Sequence, residues 1–293
     1  KLSGFGLIDL SGLGEKGGEV RTGSSHYSLG WREKFGQSKE PVCCFTRGFL
    51  AGAFAAIFGR GLDGVRTEET ACMGMGSPED AFVLREGKRN FSLFEPRKEP
   101  VLLPVGANGE PSSSVDRAGI VKALTGLPIR GNAEGLIPLF GVYLTRMYAD
   151  YYNRISFEFE KAMVEKTGKA GLDVSASLFI EAGHVCAFNT FGGIMTSPEW
   201  DALILPSLKT KEDWVHGMTA AVNALGWGVW KAVEAGPDGG TFRLYNDYES
   251  VGYGRMFGRS DHGISYLATG AVAGLMNLIY VGDIASRPRL TPE

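Results

Sequence analysis

One glycine pattern occurs twice in this chain. Shifted by 222 residues, residues 4–58 lie on residues 226–280 without a gap, and fifteen positions are identical, from Gly4 on Gly226 to Ile57 on Ile279. Nine of the fifteen are Gly on Gly. With 42 Gly in 293 residues, about twice the ordinary ~7%, chance would place about one such pair in the aligned stretch. Aromatic positions also agree in kind: Phe5 faces Trp227, Trp31 faces Tyr253, and Phe58 faces Tyr280. A repeat of this length decides architecture before any local reading, so the chain is expected to use one supersecondary unit twice. The repeated glycines then mark turns and close approaches of backbone.

Read along the first copy, Phe5–Leu10 and Gly18–Ser28 are short runs parted by glycines and predict a hairpin. Val42–Phe58 predicts a compact apolar helix. Leu62–Thr70 and Asp80–Arg85 predict a second hairpin, turning through Cys72–Pro78. The order strand, strand, helix, strand, strand predicts an α+β fold: an antiparallel sheet flanked by helices, in tandem duplicated units. The middle of the chain differs, with helical spacing over Gly135–Glu165, Val174–Phe188 and Lys211–Leu225. Pro96, Pro100, Pro104, Pro111 and Ser112–Ser114 mark a linker. The expected organisation is a first unit at 1–97, a linker at 98–130, and a second unit at 131–293. The first unit lacks leading helices and the second lacks the closing hairpin.

Charge narrows the function classes. Thirty Lys+Arg against 33 Asp+Glu leave a net charge of −3, with no basic cluster to neutralise phosphates, so no nucleic-acid partner is expected. Gly263–Gly282 is uncharged over a length that spans a bilayer. Its counterpart Gly48–Phe58 begins beside Arg47 and is far too short to cross, so both are expected to be buried helices and no membrane partner is expected. Four cysteines, Cys43, Cys44, Cys72 and Cys186, make no disulfide framework, which places the chain in a reducing, cytoplasmic setting. Gly12–Gly17 and Gly59–Gly64 both spell G-x-G-x-x-G, but neither leads from a strand into a helix, as dinucleotide binding requires. His184 and Cys186 sit two apart on a predicted helix and so face different ways.

The richest chemical constellation is Cys43, Glu69, Cys72 and Asp80, a thiol and carboxylate set of the kind that makes a tetrahedral zinc site. Buried structural cysteines and exposed strand carboxylates are the plain alternative. The surrounding motif resembles the 4-vinyl reductase domain family. It comprises Cys43-Cys-Phe-Thr-Arg-Gly48-Phe-Leu-Ala-Gly52, then Gly59-Arg60, Glu69-Thr-Ala-Cys72 and Met75-Gly76, and is especially similar to the sensor domains of aromatic-hydrocarbon-responsive transcription activators. The resemblance implies an α+β fold shared with vesicle-tethering subunits, a zinc held by Cys and Glu residues, and a closed pocket for small hydrophobic or phenolic molecules. Cys43, Glu69 and Cys72 match the ligand positions; at the last position the family has Cys and this chain has Asp80. In the second copy Cys43 becomes Ser265, so no metal is expected there.

The same architecture nominates Phe5, Trp227, Trp230, Phe242 and Tyr248, on or near hairpin strands, and His216, on the helix leading to Gly226, as ligand-binding residues. Core aromatics and a structural histidine are the plain alternative. Three functions follow. The first is non-catalytic binding of a small hydrophobic or aromatic molecule, as in a sensor, with zinc as cofactor. The second is reduction of a tetrapyrrole vinyl group, or an accessory role in it, although no nicotinamide or flavin motif is visible. The third is an assembly subunit. A second copy of the chain or a multi-subunit assembly is the protein partner these readings imply.

Overall fold

A computed structural model of the chain describes residues 2–88, 99, 102–106 and 113–287, and these fall into two compact units. The first comprises residues 1–94, 129–139 and 143–147. Its strands β1 (Leu13–Gly14), β2 (Gly17–Thr22), β3 (Val65–Ala71) and β4 (Asp80–Glu86) form one antiparallel sheet in the order β1-β2-β4-β3. The tight β1–β2 turn places Gly17 at φ +109°, and a Cβ there would lie 2.3 Å from the Leu84 carbonyl oxygen, so only glycine closes it. Helices α1 (His26–Phe35) and α2 (Cys44–Ile57) connect the two hairpins.

Burial along β3 alternates strictly, with Val65, Thr67 and Glu69 inward and Arg66, Glu68 and Thr70 outward. The inward face meets α2, which buries Leu50, Ala51, Phe54 and Ala55 against Val20, Val65, Phe82 and Leu84. Full burial of a side chain such as Phe54 stabilises the unit by about 1.5–3 kcal/mol. Glu69 is thus an acid at a core-facing register, and a bulge between Glu69 and Ala71 shifts the ladder just before Cys72. Short strands β5 (Ile137–Leu139) and β6 (Val142–Leu144) pair with each other.

The second unit comprises residues 95–128, 140–142 and 148–293. It carries α3 (Arg117–Thr125), α4 (Ala149–Thr167), α5 (Lys169–Met195), α6 (Pro198–Leu203) and α7 (Lys211–Ala224). The hairpin β7 (Val229–Gly236) and β8 (Gly239–Tyr245), and helices α8 (Tyr248–Met256) and α9 (Tyr266–Met276), complete it. Gly168 alone separates α4 from α5, making them a helical hairpin. Among the described residues no helix is long and apolar enough to cross a membrane.

Some elements 222 residues apart take similar local geometry. The turn pair Gly14–Gly17 recurs as Gly236–Gly239, α1 recurs as α8, and α2 as α9. Gly6 and Gly228 share a left-handed φ, +114° and +118°.

The structure is α+β with antiparallel sheets flanked by helices, and several local expectations are corrected. Phe5–Leu10 is not a strand; only Asp9 bridges to Arg21. The strand from Gly18 ends at Thr22, because His26–Phe35 is helical, and Tyr248 likewise opens a helix. Gly135–Glu165 breaks into the β5–β6 hairpin and α4, the break falling where Phe140 takes a φ of +56° beside Gly141. Within the expected linker, Pro96, Pro100, Pro111 and Ser112 lie outside the described residues, while Arg117–Thr125 forms α3, capped by Asp116.

Candidate metal centre and aromatic cluster

Three elements of the first unit converge on one buried point. Cys43 stands at the N-terminus of α2, Glu69 on the inward face of β3, Cys72 just after it, and Asp80 at the start of β4. Cys43 and Asp80 are fully buried, Cys72 is 1% exposed and Glu69 9%. One ligand atom from each lies within 4.8 Å of all the others, and among the described residues this is the one such group able to hold a metal ion.

The hydrogen bonds within the cluster fix its members. The Cys43 backbone N–H donates to Glu69 Oε2 at 3.2 Å, placing a carboxylate at the positive end of α2. The Cys43 thiol donates to Asp80 Oδ2 at 3.3 Å, and the Met73 N–H donates to Asp80 Oδ1 at 2.5 Å. Glu69 Oε1 is buried and accepts no hydrogen bond, a condition that is costly unless a donor or a cation faces the atom. Burial pushes the Glu69 carboxyl up; the Cys72 thiol lowers it and the charge of Asp80 raises it again. Burial also pushes the Cys43 thiol strongly up, against the lowering effect of Ser25 and Ser28.

The donor set fits zinc. Two thiols and two carboxylates supply four ligands, and bond lengths of about 2.0–2.3 Å give tetrahedral edges of about 3.5 Å, close to the Cys43–Asp80 separation. Asp80 thus brings a carboxylate oxygen to the cluster at a position where the resembled family has Cys. Binding requires the thiols to lose their protons.

Sequence reasoning missed Ser28, which lies on α1 and is fully buried. Its Oγ lies 2.8 and 2.9 Å from the two Asp80 oxygens, 3.0 Å from Cys43 Sγ and 3.7 Å from Cys72 Sγ. Such a partner orients ligands around a metal. The signal was present, since Ser28 is one of the fifteen repeat identities, matching Ser250. In the second unit the Ser250 hydroxyl lies 3.0 Å from that of Ser265 and donates to Asp247 Oδ2 at 2.5 Å. The Ser265 hydroxyl donates to Asp247 Oδ1 at 3.2 Å. A thiol-free hydrogen-bond cluster thus stands where the first unit places Cys43 and Ser28.

The nominated ligand residues separate into groups. Trp227 is the hub of one, with ring centroids 6.0 Å from Phe191, 6.3 Å from Trp230 and 6.0 Å from Tyr248. Trp230 is fully buried and its indole N–H has no hydrogen-bond partner. Burial pushes the Tyr248 phenol strongly up, with the charge of Glu249 adding to it. His216 is 1% exposed on α7 and its Nδ1 lacks a partner; burial, reinforced by Arg117, lowers its pKa. Phe242 lies on β8 opposite Ala232 and is half-buried. Phe5 belongs to the first unit, where its ring sits 5.1 Å from Phe45. His184 contacts Asn277 and Cys186 contacts Thr190, so the structure does not join them.

No curated protein and no solved structure matches the chain. A family model does: residues 32–86, the span that holds α2, β3, β4 and all four residues of the cluster, match the 4-vinyl reductase domain, which supports that family for the segment.

Proposed function

We propose that this protein binds a small hydrophobic or aromatic molecule without transforming it, and holds one zinc ion through Cys43, Glu69, Cys72 and Asp80. The observation that carries this reading is the convergence of four buried donor atoms within a segment that matches the 4-vinyl reductase domain. The zinc would tie the start of α2 to the β3–β4 hairpin and so stabilise the fold.

The Trp227, Trp230 and Tyr248 cluster, with His216 and Phe242, is our choice for the ligand site. The Trp230 indole N–H, beside the Trp227 ring, and the buried His216 Nδ1 on α7 have no hydrogen-bond partners and are polar groups able to orient a ligand. The offset of 222 residues in sequence and local geometry supports two vinyl-reductase-type units, at 1–97 and 131–293, joined through 98–130.

Elemental analysis and native mass spectrometry of the chain purified without chelator test both parts together. About one zinc per chain and a copurified hydrophobic molecule are expected. Absence of both would remove the reading and leave an assembly role in its place. A copurified tetrapyrrole would favour the vinyl-group chemistry.

A further inference from the structure

Cys43 and Cys72 hold their sulfur atoms within 4.8 Å of each other, one at the start of α2 and one just past the end of β3. A disulfide bond is about 2.05 Å long, so the pair has to close by less than about 3 Å to form one. Cys72 is not held in a regular ladder. The register shift between Glu69 and Ala71 precedes it, and the Met73–Met75 turn follows, ending at Gly76 with a φ of +99°.

The chemistry of the cluster suits such a bridge. Its other two donors are carboxylates, so one disulfide consumes all of its sulfur and leaves no third thiol there to reopen the bond by exchange. The acids stay provided for. Asp80 keeps the Met73 N–H at 2.5 Å and the Ser28 hydroxyl at 2.8 and 2.9 Å, and Glu69 keeps the Cys43 N–H at 3.2 Å. None of these bonds uses a sulfur atom, so a bridged cluster without metal still satisfies its buried carboxylates at these atoms. The bridge also keeps the start of α2 tied to the end of β3.

We propose that Cys43 and Cys72 are a thiol–disulfide pair and that the metal centre is a redox switch, holding zinc while the pair is reduced and releasing it when a peroxide joins the two sulfurs. The inference rests on the zinc reading for the metal and on the sulfur spacing for the bridge. In the step, one hydrogen peroxide takes two electrons from the two thiolates; its O–O bond breaks, the S–S bond forms, and two protons from solvent complete two waters. Glu69 and Asp80 are then half of a tetrahedral ligand set, and the ion leaves. A thiol reductant reverses the step by exchange. Hydrogen peroxide is small enough to reach the pair when the Met73–Gly76 turn opens locally.

The test uses the full chain, as wild type and with Cys44→Ser and Cys186→Ser, which remove the exposed thiols and leave the cluster intact. Reduced, zinc-loaded protein is treated with hydrogen peroxide. Released zinc is read with a chromogenic chelator against an untreated control, and linked peptides by mass spectrometry without reduction. One zinc released for each Cys43–Cys72 disulfide formed is expected in both proteins, with rebinding after dithiothreitol and zinc are added. Zinc retained with both thiols free, or sulfonic acids in place of the bridge, overturns the switch and leaves the zinc reading standing. A reduced protein that takes up no zinc yet forms the bridge overturns the zinc reading and supports the thiol pair, and one with neither overturns both.

Discussion

Glu249 lies at the start of α8, is 1% exposed, and caps α9 by accepting the backbone N–H groups of Leu267 at 3.1 Å and Ala268 at 2.9 Å. Burial raises its pKa from 4.5 to about 7, against the lowering effect of those N–H groups, and Asp247 adds to the rise. A carboxyl that binds its proton more tightly folded than unfolded adds most to stability below about pH 4.5. That contribution is lost as the pH rises through about 7. Relative to the fully protonated state, the loss is about 0.8 kcal/mol at pH 5 and about 3.3 kcal/mol at pH 8, a difference of about 2.5 kcal/mol. Glu249→Gln cannot titrate; its loss of one acceptor lowers stability by an amount independent of pH. Urea unfolding of both chains at pH 5 and pH 8 isolates the effect, because other titrating groups cancel in the comparison. Wild type minus variant should fall by about 2.5 kcal/mol from pH 5 to pH 8. A difference below about 0.5 kcal/mol, or of opposite sign, would refute the assignment of a buried, proton-retaining carboxyl at this cap.

Cys72→Ser removes one of the two thiols and should lower bound zinc at least tenfold while lowering the melting temperature; unchanged metal content by plasma mass spectrometry would exclude Cys72 as a ligand. Gly48→Ala and Gly270→Ala occupy matching helix positions with opposite surroundings. Alanine at 48 should stabilise by up to about 1 kcal/mol through helix propensity. At 270 it should destabilise by at least about 2 kcal/mol, because the new methyl meets a carbonyl oxygen that cannot move without shifting α5. Chemical unfolding of the two variants decides this, and equal effects would contradict the difference between the two faces.

Much of the fold was legible. The glycine pattern marked the turns at Gly17 and Gly239 and the helices α2 and α9, because turns that need a left-handed residue leave the same mark wherever they occur, but it did not reveal α1 and α8. The residue types and the family resemblance named Cys43, Glu69, Cys72 and Asp80 as one cluster, while the inward register of Glu69 on β3 came from the structure. Less of the site was legible. Ser28 lay hidden in a run read as strand, because Ser24–Ser25 obscured where β2 ends and α1 begins, and a serine carries no metal-ligand signal of its own.

What the sequence determined by itself was therefore local: which segments turn, which alternate, and which residues carry metal chemistry. Tertiary structure alone decided which face of each glycine helix is inside. Both helices are apolar nearly all round, so periodicity cannot choose a buried stripe. The choice falls to the neighbours, the β3–β4 sheet for α2 and the α5 helix for α9, each of which removes water from the face it can reach.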